Sequence, residues 1–344
     1  NAITIDSNGL KFQGETDDYI VDYDTSGQAV NLVYSGSTVG WTPSSDIVNA
    51  LEPVAPTVQK AIFAYGNTGS RVSTSNLVSS SGVVASDTTG VGSARDDGGA
   101  ASYGGDKAIF AFGNGGSGGV SISNLVSNSG VFASDTTGVG TARDSLRATG
   151  YGTDKAIFAF GYVSGAVSIS NLVSNSGVVA TDTTGVGTAR THAEAAGYGG
   201  DKAIFGYGYA GGNVSMSNLV SNSGVVASDV TGVGSARHSL GAASYGGDKA
   251  IFGYGLTGST TAVTNLVSNS GVVSTDTTGV GTARKHLAAS VYGGDKAIFG
   301  FGYTSSNLSM TNLVNNSGVV GSDVSGVGTA RRYIQAAGFS YACL

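Results

Sequence analysis

The sequence predicts an all-β fold: a six-bladed β-propeller of about 47-residue, four-stranded blades over residues 57–344, preceded by a small β module over 1–50 and a linker over 51–56. Three observations predict it. Glycine supplies 57 of the 344 residues and proline only 3, the mix expected of many short strands joined by tight turns. One phrase returns at a fixed step along the chain. The two ends of the repeated region are complementary fragments of a single repeat.

Three markers give the step. The lysine of "KAIF" stands at Lys60, Lys107, Lys155, Lys202, Lys249 and Lys296, with spacings of 47, 48, 47, 47 and 47. The arginine closing each "GVGTAR"-like string stands at Arg95, Arg143, Arg190, Arg237, Arg284 and Arg331. The asparagine of "NLV" stands at Asn76, Asn124, Asn171, Asn218, Asn265 and Asn312. A fixed period of this length marks a repeat architecture.

Within one repeat, "AASY", "KAIFGYG", "TAVTNLV" and "GVVST" read as four strands, broken at "GGD", "LTGST" and "SNS". Four antiparallel strands per unit match a propeller blade. Ala and Gly alternate with Ile, Phe and Tyr on both sides, as in a sheet covered on both faces. Thr153 replaces the second glycine of the "GGD" turn (Gly105, Gly200), which predicts that this position needs no glycine-only backbone angle.

The first repeat opens at "QKAIF" without the strand that precedes it elsewhere, and the chain ends on "RRYIQAAGFSYACL", a first strand with no "DKAIF" after it. Joined, the two fragments make one complete blade. Five intact blades and this composite make six, and the ring has no open sheet edge.

The string "AR…AA.YGGDKAIFGYG……NLVSNSGVV..D" is similar to the kelch repeat over residues 57–344. It departs from that pattern in lacking the outer-strand Trp and in spreading the glycine doublet as Gly-aromatic-Gly. The resemblance implies kelch-like architecture but not kelch-family partners. The near-identity of the repeats also resembles arrays in virus-encoded proteins. "VNLVYSGSTVGWTP", which holds the single Trp41, is similar to the small β modules of bacteriophage tail and head fibres. That resemblance implies a virion-surface or extracellular location, attachment to other virion proteins through the N-terminal module, and a homotrimer.

A net charge of −6 excludes a basic nucleic-acid groove. No run of 18 apolar residues is present, so no membrane insertion is expected. One cysteine, Cys343, excludes an intramolecular disulfide framework. The chain starts at Asn1 rather than Met and reads as processed or as part of a longer chain.

The repeats vary in two places. One lies between strands two and three: "NTGSR", "NGGSGG", "YVSGA", "YAGGN", "LTGST", "YTSSN". The other follows the arginine: "DDGG", "DSLR", "THAE", "HSLG", "KHLA", "RYIQ". In a four-stranded meander both emerge at the same end of the blade, while the constant "GGD" and "SNS" turns emerge at the other. A face that changes on a constant scaffold is where binding residues are expected. The candidate contacts are Asn67, Arg71, Asn114, Tyr162, His192, Tyr209, Asn213, His238, Thr257, His286, Tyr303, Asn307 and Tyr333.

The constant residues read as structure. The Asp–Lys pair of "DKAIF" is expected to form a solvated rim. Asp87, Asp135, Asp182, Asp229, Asp276 and Asp323 are expected to make turns, and the repeated arginine to bond backbone carbonyls or these aspartates. His192 and His286 lie two residues past the arginine and His238 one past it, so the three are expected to sit too far apart to share a metal. No GxSxG, P-loop or HExxH string appears, and no catalytic residue, metal or cofactor is assigned. The function expected is a non-enzymatic, fibre-borne binding protein whose varied face meets a host-surface glycan or protein receptor. The alternatives are a structural virion component and a secreted lectin-like propeller.

Overall fold

The computed structural model describes residues 3–6, 11, 20–23, 31–37, 39–43 and 59–339. Contacts divide the chain into one unit of Thr57–Ala342 and another of Asn1–Pro56 with Cys343–Leu344. The linker over 51–56 and Cys343 lie outside the described residues. In the smaller unit β1 (Ile3–Asp6) pairs antiparallel with β2 (Ile20–Tyr23), and β3 (Leu32–Tyr34) with β4 (Trp41–Pro43). Tyr34 and Trp41 face each other across the second pair, ring centroids 5.4 Å apart.

The larger unit is all-β and propeller-like, with no helix among its described residues. It contains six three-stranded antiparallel sheets. The second is β7 (Gly99–Tyr103), β8 (Lys107–Asn114) and β9 (Gly119–Val126). The third is β10 (Arg147–Tyr151), β11 (Lys155–Ala159) and β12 (Ser170–Val173). The fourth is β13 (Glu194–Tyr198), β14 (Lys202–Tyr209) and β15 (Asn213–Val220). The fifth is β16 (Gly241–Tyr245), β17 (Lys249–Gly253) and β18 (Thr264–Val267). The sixth is β19 (Ala288–Tyr292), β20 (Lys296–Tyr303) and β21 (Asn307–Val314). The first sheet draws on both ends of the region: β22 (Gln335–Phe339) pairs with β5 (Lys60–Ala64), which pairs with β6 (Ser75–Val78). The inner strands β7, β10, β13, β16, β19 and β22 lie each against the next, and β22 also lies against β7.

The expected fourth strand is reduced to isolated ladder pairs. In the third sheet these are Val173 with Val179 and Ser170 with Thr183. The second valine of "GVV" is buried in three repeats (Val84, Val179, Val320) and partly buried in two (Val226, Val273), while its neighbour is exposed, Val178 to 65%; Gly, Ser, Thr and Asp, poor strand formers apart from Thr, follow. The turn beside it is fixed from the next sheet. Gly177 has a positive φ of 82°, and a Cβ on it would fall 2.9 Å from the ring of Tyr103.

Between sheets the core is made from both faces, as strands apolar on both sides predicted. Ile109 and Phe112 of the second sheet pack with Ala156, Phe158 and Val173 of the third. Each fully buried side chain of this kind contributes about 1.5–3 kcal/mol.

The structure corrects the reading of Thr153. Its φ is 70°, close to the 79° of Gly105 and 80° of Gly200, so the turn does require the left-handed region. A β-branched residue is strained there. Thr153 donates its hydroxyl to the Gly152 carbonyl at 2.6 Å, a local bond that offsets part of that cost.

Candidate functional site

The site is built on a clamp that is the same in nearly every repeat. In each repeat the end of the middle strand, or a bulge within it, is an aromatic residue with a positive φ: Tyr65, Phe112, Phe160, Tyr207, Tyr254 and Phe301, all between 59° and 65°. Such a residue is disfavoured by about 1–2 kcal/mol. The turn aims its carbonyl at the arginine of the preceding repeat. Arg143 donates Nε to the Phe160 carbonyl (3.0 Å), Nη1 to Thr141 O (3.1 Å) and Nη2 to Asn171 Oδ1 (2.7 Å). Its guanidinium also stacks 4.4 Å from the Phe112 ring centroid, joining two sheets. Asn171 donates to Asp182 at 2.9 Å, and Asp182 accepts from the Thr141 amide (3.0 Å) and hydroxyl (2.5 Å).

All six repeated arginines are 0% exposed. Burial pushes Arg143, Arg190 and Arg331 down to about 10, opposed by Asp182, Asp229 and Asp87 respectively. The expected bonding to carbonyls is therefore present, and the aspartates bridge neighbouring sheets, their carboxylates bonding a Thr or Ser of the preceding repeat and the asparagine of their own. Arg95 departs from the pattern, donating to Phe110 O at 3.1 Å.

The residue after each arginine carries the varied segment. In every sheet it is bridged to the segment between strands two and three: Asp96 to Asn114, Asp144 to Tyr162, Thr191 to Tyr209, His238 to Leu256, Lys285 to Tyr303, and Arg332 to Asn67. The two varied segments thus share one end of each sheet, as the meander predicts. Several candidate contacts hold this surface together. Asn67 and Arg71 both bond Asp96, at 2.8 and 3.1 Å. Asn114 donates to Asp144 at 3.3 Å. Asn213 donates to the Thr257 carbonyl at 2.7 Å and Asn307 to the Asn67 carbonyl at 3.2 Å. The Thr257 hydroxyl is turned back onto the Ser259 carbonyl at 3.2 Å. Tyr162 and Tyr209 are 45% and 44% exposed.

One residue further on, Asp97, Ser145, His192, Ser239, His286 and Tyr333 all adopt φ of 50–56°. Their amides form a cycle. Ser145 donates to Asp97, His192 to Ser145, Ser239 to His192, His286 to Ser239, Tyr333 to His286 and Asp97 to Tyr333, at 2.8–3.3 Å. The left-handed turn brings His192 and His286 beside each other, and His238, one residue earlier in its own repeat, lies against His192. The His192 ring centroid lies 5.8 Å from that of His238 and 6.0 Å from that of His286. The His286 ring stacks on Tyr333 at 4.0 Å. Burial, and for His238 also the neighbouring His192, pushes His286 down to about 2 and His238 to about 4. Among the described residues no group of three or more His, Cys, Asp or Glu is arranged to hold a metal ion.

A charged group that the sequence reading missed lies beneath the cycle. Arg147 bonds Asp97 at 3.1 Å and also pairs with Glu194, while Asp97 pairs with His192 at 3.0 Å. Burial raises Glu194 to about 7 against the pull of Arg147. Burial acts the same way on Asp97, but His192 and Arg147 outweigh it and hold Asp97 well below the usual carboxylate range. The signal was present in "DSLR" and "THAE", whose last letters stand in for Gly99 and Gly241 of other repeats.

At the opposite end the constant residues form a repeated rim. In five repeats the Asp–Lys neighbours pair at 2.7–3.5 Å, as at Asp106–Lys107 and Asp248–Lys249. A cavity of about 300 Å³ lined by the inner strands, including Ala101, Ala196 and Ser244, reaches the turn residues Gly105, Thr153 and Gly200. No helix among the described residues is long and apolar enough to cross a membrane. No family model matches the chain, and no similar curated protein is found.

Proposed function

We propose that the six sheets are the blades of a closed, kelch-like propeller, and that the chain is a non-enzymatic binding protein of the virion-fibre kind. Its varied face engages a host-surface glycan or protein receptor, and its N-terminal module attaches it, as a homotrimer, to other virion proteins. Closure is supported by the pairing of β22 with β5 and by the hydrogen-bond cycle that runs from Asp97 through Tyr333 and back.

One observation carries the binding reading. The buried arginine is the same in all six repeats, and the residue immediately after it, on the surface-forming segment, is Asp, Asp, Thr, His, Lys or Arg. Packing constrains the first; the second, partly exposed in every repeat except at the buried Asp96, is open to selection for contact. Exchanging all six segments between strands two and three for one common sequence tests it. Binding to host cells or to a glycan array is expected to disappear while the fold persists; undiminished binding would overturn the reading.

A further inference from the structure

The residues after the clamp arginine change sign in order around the face. Asp96 and Asp144 are acidic, Thr191 is neutral, and His238, Lys285 and Arg332 form a nitrogenous arc. The acidic side is largely answered within the chain: Arg71 and Asn67 bond Asp96. The basic side is not, because Lys285 and Arg332 have no ion-pair partner among the described residues.

Each member of the arc is partly exposed and lies against a tyrosine. Lys285 is bridged to Tyr303 through both backbone hydrogen bonds, at 3.0 and 2.8 Å. The Arg332 guanidinium lies 4.6 Å from the Tyr303 ring centroid and 5.6 Å from that of Tyr333. Tyr209 presents its ring beside His238, centroids 5.7 Å apart. Arg332 and Asn307 meet at Asn67, whose carbonyl accepts from the Arg332 amide (3.1 Å) and the Asn307 amide group (3.2 Å).

Three buried polar atoms here lack a hydrogen-bond partner: Nδ1 of His286, Nε of Arg332 and Oδ1 of Asn307. His286 is only 7% exposed. An unmade bond at a buried polar atom costs about 1–3 kcal/mol, so such atoms gathered beside unpaired cations mark a place where a ligand is favoured. The set has a definite chemistry. A guanidinium fork and an ammonium match a carboxylate. The Asn307 oxygen accepts, and a carboxylate cannot donate to it; a hydroxyl can. The Tyr faces suit the apolar side of a flat ring.

We infer that the arc of His238, Lys285 and Arg332 binds a carboxylate-bearing saccharide, of the uronic- or sialic-acid type. The inference rests on the glycan-binding reading above and narrows it to acidic sugars and to one side of the face.

The test measures equilibrium binding of the full chain to oligosaccharides ending in uronic or sialic acid. The same sugars as methyl esters and a poly-glutamate peptide serve as comparisons. Binding of one or both acids about tenfold tighter than their esters is expected, as for the loss of one charge-assisted bond. Arg332→Gln and Lys285→Gln should each weaken it about tenfold. Arg332→Lys, which keeps the charge but not the fork, should fall between. Lys202→Gln, the same charge loss at the opposite end, should change nothing.

Equal binding of acid and ester, equal binding of poly-glutamate, or indifference to both Gln variants in chains with wild-type melting would each overturn the inference. So would failure to bind any acidic sugar. If a neutral glycan or cells still bind in a manner that the segment exchange abolishes, the broader reading survives. If the exchange also changes nothing, both fall.

Discussion

Arg143 and Asp144 are adjacent in the chain and belong to opposite regimes. The arginine and its counterparts are fully buried between sheets, and in Arg143, Arg190, Arg237 and Arg331 the donors are met by the carbonyl of a left-handed aromatic, an asparagine and the carbonyl two residues back; Arg284 lacks the asparagine bond and Arg95 lacks both the asparagine and the left-handed carbonyl. The next residue emerges on a face where no residue type is used more than twice in six repeats. At the clamp, a change in one repeat breaks bonds in two sheets. At the face, a change alters what is presented and at most local bonds, such as those of Asn67 and Arg71 to Asp96. The difference shows that constancy here tracks the number of partners in neighbouring sheets that a side chain serves.

Arg143→Met breaks the comparison most severely. It leaves Asn171 Oδ1 and the Phe160 carbonyl buried without the donor, and a loss of about 3–5 kcal/mol in a urea unfolding curve is expected. A loss under about 1 kcal/mol would show that the clamp is not what holds neighbouring sheets together.

Arg147→Met tests whether the charged group beneath the cycle behaves like the clamp or like the face. Removing the cation that serves both Asp97 and Glu194 is expected to cost about 3 kcal/mol. Glu194 adds a pH signature. Its folded value of about 7 stands above the ordinary 4.5, so the folded state holds the proton more tightly. Its contribution is therefore favourable at low pH and is lost as pH rises through that interval. Glu194→Gln lacks this loss, so its stability relative to wild type is expected to increase between pH 5 and pH 8. A constant difference across that range would contradict it.

Thr153→Gly sharpens the comparison at the constant end. Relieving a β-branched residue at φ 70° is expected to raise stability by about 1 kcal/mol, measured as a higher melting temperature. Tyr209→Ala is the smallest step. With its ring 44% exposed, a stability change within about 0.5 kcal/mol is expected, together with reduced ligand binding under the proposed function. A large destabilisation would place the varied face in the structural regime.

The repeated sheets were legible because strand and turn signals recur at one step, and the pairing of β22 with β5 was legible because the end fragments complement each other. The fourth strand was overestimated because "GVV" looks continuous, although only its second valine turns inward. The convergence of the histidines was hidden. Asp97, Ser145, His192, Ser239, His286 and Tyr333 share a left-handed turn but no common residue type, and the turn rather than the spacing sets where their side chains meet. Arg332 and Lys285 lie in a column that runs in order from Asp96 and Asp144 through Thr191 to His238, Lys285 and Arg332, a gradient that no single post-arginine string displays.

The composite first sheet also sets the timing of assembly. Arg331 reaches the Tyr65 carbonyl across 266 residues of chain. During synthesis from the N-terminus, β5 emerges early and waits with an unpaired edge until β22 has left the ribosome. Synthesis of β22, more than any earlier event, is then the moment at which β5 ceases to be an adhesive edge for its neighbours on the same messenger.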